Sequence, residues 1–378
     1  MTIPSTCSTP PATALGLRPA SSLRLAGDAA APARNPFSLV DLQARRVRYL
    51  RVSLTDRCNY RCTYCMPADG VEVVPRAELL SFAEIEHLVR LFVGMGVRKV
   101  RLTGGEPLVR RDVAKLVERI ARIDGVEDLS MTTNGHLLAP LAKPLRDAGL
   151  HRLNVSLDSL DAARFATMTR RGDLARVLAG LEAAKAAGFV RTKLNVVVLR
   201  GHNDQELVQL CDFAGTEGHV LRFIEYMPIG VDEHWGPASF VAAAEVRAIL
   251  AQVYELTPDT DHGHPGGGPA VYWRARRRGT AGASQDSTPD GAGVALGFIA
   301  AVSEAFCRLC NRVRLSPTGT LRECLSTGGV LSLRDMLRAR RPDSEIEAAI
   351  GAALQGKVDG HRFDRAVPTL ESMSAIGG

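Results

Sequence analysis

The stretch 48-RYLRVSLTDRCNYRCTYC-65 decides how the rest of the chain is read. It opens with a short β-rich run, 48–54, and ends in a loop that gathers Cys58, Cys62 and Cys65 within eight positions. Runs of the same kind recur at 97–103, 127–133, 152–158, 193–199 and 219–227. Between them lie helical patterns at about 82–95, 111–122, 137–148, 161–187 and 204–216, two of them closing on Ala148-Gly149 and Ala187-Gly188. Strand, helix, strand at this spacing implies right-handed crossovers and a parallel sheet. The expected fold is therefore α/β, a partial (βα)6 TIM-like barrel. Active sites of such barrels collect at the C-terminal ends of the strands. Here Cys58 to Cys65, Gly104-Gly105-Glu106-Pro107, Thr133-Asn134-Gly135, Asp158, Asn203-Asp204 and Glu225-Tyr226-Met227-Pro228 each follow one run, so the polar and Gly-rich oddities share one rim.

Six of the eight cysteines form two triplets, Cys58/Cys62/Cys65 and Cys307/Cys310/Cys324; Cys7 and Cys211 stand alone. Clustered thiols without a secretory apolar segment favour metal or redox chemistry over a disulfide framework. Three thiolates can hold three irons of a four-iron cubane and leave the fourth open to a ligand that is not protein, whereas four cysteines close the shell. Structural zinc wants four protein ligands, and no fourth Cys or His lies near the first triplet. His87, the nearest histidine, falls on a helical pattern and reads as a surface residue. Alone, the second triplet fits zinc as well as it fits a cluster. Cys211 reads as a small buried hydrophobe.

A chain of 378 residues with 46 % hydrophobic and 23 % charged residues has the composition of a globular protein. Its apolar stretches, such as 238–244, fall short of the roughly 18 residues that suggest a membrane span, so no membrane partner and a cytoplasmic location are expected. The net charge of +6 fits an anionic partner. No long basic run marks a nucleic-acid face; 274-RARRR-278 reads as a solvated loop, so nucleic acid is not expected. Three regions follow: a disordered, Pro- and Ala-rich extension at 1–44, a barrel at 45–257, and a C-terminal region at 258–378 with a hairpin around 270–275, a variable loop at 276–293, the second triplet, and helices near 331–340 and 344–355. The extension faintly resembles a transit peptide, although its prolines argue against an amphipathic helix.

The spacing Cys-x3-Cys-x2-Cys after a first barrel strand, with Tyr64 just before the third cysteine, resembles the signature of the radical S-adenosylmethionine (SAM) superfamily. The loop 103-TGGEP-107 is similar to that superfamily's SAM-binding loop. There the open iron chelates SAM, one electron cleaves it to methionine and a 5′-deoxyadenosyl radical, and the radical takes a hydrogen atom from substrate. The second triplet in 306-FCRLCNRVRLSPTGTLRECL-325 narrows the likeness to the GTP 3′,8-cyclase family of molybdenum cofactor biosynthesis. The match runs from Arg51 to Gly377-Gly378, departs at 258–293, and includes Thr55-Asp56-Arg57-Cys58-Asn59, Thr132-Thr133-Asn134-Gly135, Asn154-Val155-Ser156-Leu157-Asp158 and Arg222-Phe223-Ile224-Glu225.

The resemblance implies two 4Fe-4S clusters, one on Cys58, Cys62 and Cys65 and one on Cys307, Cys310 and Cys324 in the C-terminal extension. It implies SAM contacts at Tyr64, Gly105, Ser156 and Met227. GTP contacts are implied at Arg51, Arg101, Thr132, Lys193, Arg312, Val313 and Arg314, with Lys99 and Arg222 as further candidates. The implied catalytic positions are the first three cysteines with Arg312 and Arg314, and Gly377-Gly378 would reach the site. Arg312 and Arg314 alternate along one strand and so share a face. The implied reaction joins ribose C3′ to guanine C8, giving (8S)-3′,8-cyclo-7,8-dihydroguanosine 5′-triphosphate with 5′-deoxyadenosine and methionine. An external electron donor, a pterin synthase for the next step, and a monomer or homodimer are implied as well.

Overall fold

The computed structural model describes residues 39–229, 235–259, 268–279, 293–361, 363 and 373–376. The extension through residue 38 with Cys7, most of the variable loop, and Gly377-Gly378 lie outside the described residues.

All six β-rich runs form strands, and the expected helices follow them: β1 (Tyr49–Ser53), α1 (Phe82–Gly94), β2 (Lys99–Thr103), α2 (Val113–Ala121), β3 (Asp128–Thr133), α3 (Leu138–Asp147), β4 (Arg152–Ser156), α4 (Ala162–Thr169), α5 (Leu174–Ala186), β5 (Lys193–Val198), α6 (Leu207–Glu217) and β6 (Val220–Glu225). The single helix expected over 161–187 is two. Thr169 Oγ1 turns back to the Phe165 carbonyl and accepts from Gly172 N, and Asp173 then caps a new helix through Ala175 N at 3.0 Å.

The chain continues through α7 (Ala243–Ala251), β7 (Tyr254–Pro258), β8 (Val271–Arg277), β9 (Val294–Ile299), β10 (Arg312–Leu315), β11 (Thr320–Arg322), β12 (Leu331–Ser332), α8 (Leu333–Arg338), α9 (Asp343–Gln355) and α10 (Met373–Ile376). The strands form one twelve-stranded sheet in the order β12-β11-β10-β1-β2-β3-β4-β5-β6-β9-β8-β7. β10 pairs parallel with β1 and β9 parallel with β6, so C-terminal residues extend the parallel run at both ends. The basic run 274–278 is not a solvated loop. Arg274 and Arg277 lie in β8 and pair with Asp259 and Asp212, and Arg278 donates to the Ala251 carbonyl. Among the described residues no helix is long and apolar enough to cross a membrane.

Alternation fixes the faces of the sheet. Leu50 and Val52 of β1, Val100 and Leu102 of β2, Val155 of β4, and Val313 and Leu315 of β10 are buried in one continuous hydrophobic core. Polar residues at the intervening positions point into the lumen. His87 sits on the exposed side of α1 and meets Asp343, and Cys211 is fully buried, both as expected.

The loop after β2 locks onto the loop after β1. Gly105 N donates to the Thr55 carbonyl at 2.7 Å and Glu106 N to the Arg57 carbonyl at 2.8 Å. A Cβ on Gly105 would stand 2.3 Å from the Arg57 carbonyl oxygen, and one on Gly104, whose φ is +145°, 2.5 Å from the Thr55 oxygen. The glycines are required by this backbone-to-backbone contact as well as by any ligand. Gly105→Ala is expected to destabilise the chain by ~1–3 kcal/mol through overpacking, read as a lower urea midpoint; an unchanged midpoint would refute the contact.

His219, at the entrance to β6, is held neutral by burial, its pKa lowered to about 4. The unfolded imidazole takes up a proton near its usual pKa, about 6.5, and the folded one does so only near 4, so this part of the stability is lost as pH falls through that window. A His219→Leu variant should lose less stability than the parent between pH 7 and pH 4.5, as read by urea unfolding.

Candidate active site

The register across β10, β1 and β2 sets three arginines side by side. Arg314 is opposite Arg51, Arg51 is opposite Arg101, and Arg101 is opposite Ser130 of β3. Arg101 Nε donates to Ser130 Oγ at 3.2 Å, and its guanidinium lies 5.3 Å from the centre of the Tyr49 ring. Burial lowers Arg51 well below the ordinary arginine range, and Arg314, Arg101 and Arg312 add to that. Burial, then Arg312, bring Arg314 down to about 10. Such a row of cations suits a polyanion, whose charge would relieve both the desolvation and the repulsion.

These arginines line a cavity of about 300 Å³ that also receives both cysteine triads. Cys58, Cys62 and Cys65 belong to the loop after β1. Cys307 and Cys310 precede β10, and Cys324 follows β11, which runs antiparallel to it. The two triads therefore leave the β1/β10 pair at opposite ends, about five residues of rise or ~16 Å apart along the strands. Burial pushes Cys58 up to about 11 and Cys62 well above the usual thiol range, with Cys65 and Asp158 adding to the shift at Cys62. Burial raises Cys307 too. At Cys310 burial is outweighed by Arg312 and Lys357, which bring the thiol down to about 7.

The remaining expected residues divide. Tyr64, Gly105, Thr132, Ser156, Met227 and Arg312 all line the cavity. Lys193 does not line it. Its Nζ donates to Tyr272 Oη at 3.1 Å, and burial, then Arg222, lower its pKa to about 6. The Val313 side chain lies in the core on the far face of β10.

Several rim residues bind the loops together. Glu106 accepts from Leu108 N, Thr133 Oγ1 and Asn134 N at 2.7–3.0 Å. Asp158 accepts from Tyr64 Oη and Val197 N, and burial raises it to about 6. Asn203 Nδ2 donates to the Asp158 and Val197 carbonyls, and Glu225 accepts from the N–H groups of Ala243, Val302 and Ser303.

The sequence reading missed Asn195, Phe306, His361 and Phe363 on the cavity wall. Asn195 was findable: Asn154 and Ser156 on β4, and Lys193 and Asn195 on β5, follow one polar alternation.

The donor chemistry fits the groups the resemblance implies. Three thiols line the cavity from a single loop at one end and three from adjoining segments at the other. Between them Thr132 Oγ1, Asn195 Oδ1, Arg222 Nε and Tyr226 Oη are buried without a partner among the described residues. Orphaned buried polar atoms carry a desolvation cost that a polar ligand removes.

Comparison with known proteins agrees with this layout. Residues 52–214 match the Radical SAM superfamily model and residues 219–363 the Molybdenum Cofactor Synthesis C model. A GTP 3′,8-cyclase from Pseudomonas putida (strain W619) is 46 % identical over 91 % of this chain and 99 % of its own length. GTP 3′,8-cyclase 1 of Pseudomonas aeruginosa is 46 % identical over 90 % of this chain and 99 % of its own. Among solved structures, Streptococcus suis SuiB bound to precursor peptide SuiA superposes with a TM-score of 0.55 at 13 % identity, over 87 % of this chain and 76 % of that one, a likeness of fold. With both family models in tandem and close relatives matched over nearly their full length, the chain belongs to the GTP 3′,8-cyclase family, radical SAM enzymes of molybdenum cofactor biosynthesis.

Proposed function

We propose that the chain performs its family's cyclisation of GTP with the two triads working from opposite ends of one cavity. The observation that carries this reading is the cationic row Arg314, Arg51 and Arg101 lying between them. Cys58, Cys62 and Cys65 hold one 4Fe-4S cluster, with SAM set against it by Tyr64, Gly105, Ser156 and Met227. Cys307, Cys310 and Cys324 would hold a second 4Fe-4S cluster, which when bound would supply a handle for the base. When bound, the first cluster and SAM supply hydrogen-atom abstraction at the ribose.

The protein's own contribution is placement. Arg51, Arg101, Arg312 and Arg314 neutralise and orient the triphosphate, because a guanidinium presents a planar fork to phosphate oxygens. Val313 holds Arg312 and Arg314 on one face by burying its own side chain opposite. Thr132 and Arg222 offer polar atoms to the nucleotide, and Lys193 and Lys99 remain further candidate contacts. Phe306, Phe363 and Met373 on the cavity wall keep water from the reacting carbon.

Functionally, 45–257 generates the reactive species and 258–378 seats the base. The chain takes its electron from an external donor and passes its product to the next-step pterin synthase. We place it in the cytoplasm as a monomer or homodimer.

Anaerobically reconstituted protein given SAM and reductant should form 5′-deoxyadenosine in response to GTP. Cys324→Ala should lose that GTP response while keeping iron at the first triad. Full iron loading with no GTP-dependent 5′-deoxyadenosine would overturn the assignment.

The arginine row gives a prediction of opposite signs. Arg314→Met removes a buried cation from a repulsive cluster, so the ligand-free chain should melt at a higher temperature. Loss of a charge-assisted contact of ~1.5–3 kcal/mol should at the same time weaken GTP binding by roughly 10- to 150-fold. A variant that lost both stability and affinity would count against the row as a preorganised anion site.

A further inference from the structure

The second triad is backed by two buried cations that neither the sequence reading nor the family comparison assigns. Lys357 follows α9 and is 3 % exposed. Its Nζ donates to the Arg312 carbonyl at 2.9 Å, two residues beyond Cys310, and also to the Glu323 carbonyl, one residue before Cys324. One side-chain amine thus ties together the two segments that carry Cys310 and Cys324.

Arg45, 8 % exposed, completes the arrangement. Its Nη1 donates to the carbonyl of Cys307 at 2.9 Å, and its Nη2 donates to the carbonyls of Val358 at 2.7 Å and Lys357 at 3.4 Å. Asp41 holds Arg45 in place through Nε at 2.6 Å and offsets its charge. Among the described residues no carboxylate lies within ion-pair distance of Lys357. Burying a cation without a counter-ion is costly. Three thiolates carrying an anionic cluster supply the missing charge. Near the first triad the buried carboxylates Glu106 and Asp158 stand together with the cation Arg61, whose Nη1 donates to the Cys58 carbonyl at 2.7 Å.

We infer that Lys357, locked by Arg45, is a positioning residue that sets both the spacing of Cys307, Cys310 and Cys324 and the ease with which a cluster held there takes up an electron. The inference rests on the reading of these cysteines as cluster ligands. Its sign follows from charge. Reduction adds a negative charge beside the Lys357 side chain, so removing the cation should make reduction harder.

The test uses full-length chain carrying Cys58→Ala, Cys62→Ala and Cys65→Ala, reconstituted anaerobically so that signals arise from the second triad alone. Iron and sulfide content and an EPR-monitored redox titration are compared among this parent, Lys357→Gln, Lys357→Arg and Lys357→Met. Lys357→Gln keeps a donor and drops the charge. It should load iron near the parent level, with the equilibrium constant for one-electron reduction lowered about tenfold, ~59 mV more negative. Lys357→Arg should restore the parent potential. Lys357→Met loses both functions and should lose most of its iron while far-UV circular dichroism stays unchanged.

Full loading at an unchanged potential in Lys357→Gln would overturn the electrostatic role, and full loading in Lys357→Met the spacing role. If Lys357→Gln fails to load, recovery of iron in Lys357→Arg upholds the inference and failure of both sinks it. A parent that binds no iron and sulfide at all would refute the cluster reading, and the clamp with it.

Discussion

The parallel pairing of β10 with β1 is the constraint on which the rest depends. The two strands are separated by about 260 residues, and closing so long a loop carries an entropic penalty that local interactions cannot offset. What holds them is burial on the outer face, where Leu50, Val52, Val313, Leu315 and Leu321 join one core. That same burial fixes the register. A slip of one residue would turn Val313 into the lumen and both Arg312 and Arg314 into the core. The aliphatic face of β10 is therefore what aims its arginines, and what brings two cysteine loops from distant parts of the sequence to the two ends of one cavity.

The lumen has a cost. Three arginines on adjacent strands, with Arg51 and Arg314 both depressed by burial and by neighbouring guanidinium groups, are arranged against the interest of the ligand-free fold. The arrangement persists because the surrounding strands are over-determined by core packing, and it is useful because nothing must be reorganised when a polyanion enters. The orphaned atoms of Thr132, Asn195, Arg222 and Tyr226 belong to the same design. Each represents desolvation already incurred during folding, recovered only when a polar ligand is present.

The six βα units were legible because their signals are local: an alternating run, a helical period, a glycine stop. The entry of β9 and β10 into the same sheet was not, since no local pattern encodes which strand a run will pair with. The break at Gly172-Asp173 was written in the sequence, yet it was masked by the apolar periodicity on both sides. The basic run 274–278 misled because its acidic partners, Asp212 and Asp259, lie elsewhere in the chain or just beyond a turn. Both cysteine triads were read directly from spacing. The residues between them were read from resemblance, and the polar alternation of β4 and β5 that marks Asn195 went unused.

The rim holds a further lesson about reading sites from motifs. Glu106, Asn134, Asp158, Asn203 and Glu225 are conspicuous polar residues at strand ends, and they spend their hydrogen-bonding capacity on neighbouring loops. A barrel whose loops must hold a three-cysteine turn open toward a ligand needs that bracing, because the fourth donor that would normally close a metal shell is absent by design. The bracing differs at the two ends. Asp158, through Tyr64, and Arg61, through the Cys58 carbonyl, tie the first cysteine loop, whereas Lys357 and Arg45 tie the segments around Cys307, Cys310 and Cys324. Groups needed to hold the backbone thus also set the charge around the thiols, with buried carboxylates and Arg61 near the first triad and Lys357 and Arg45 behind the second.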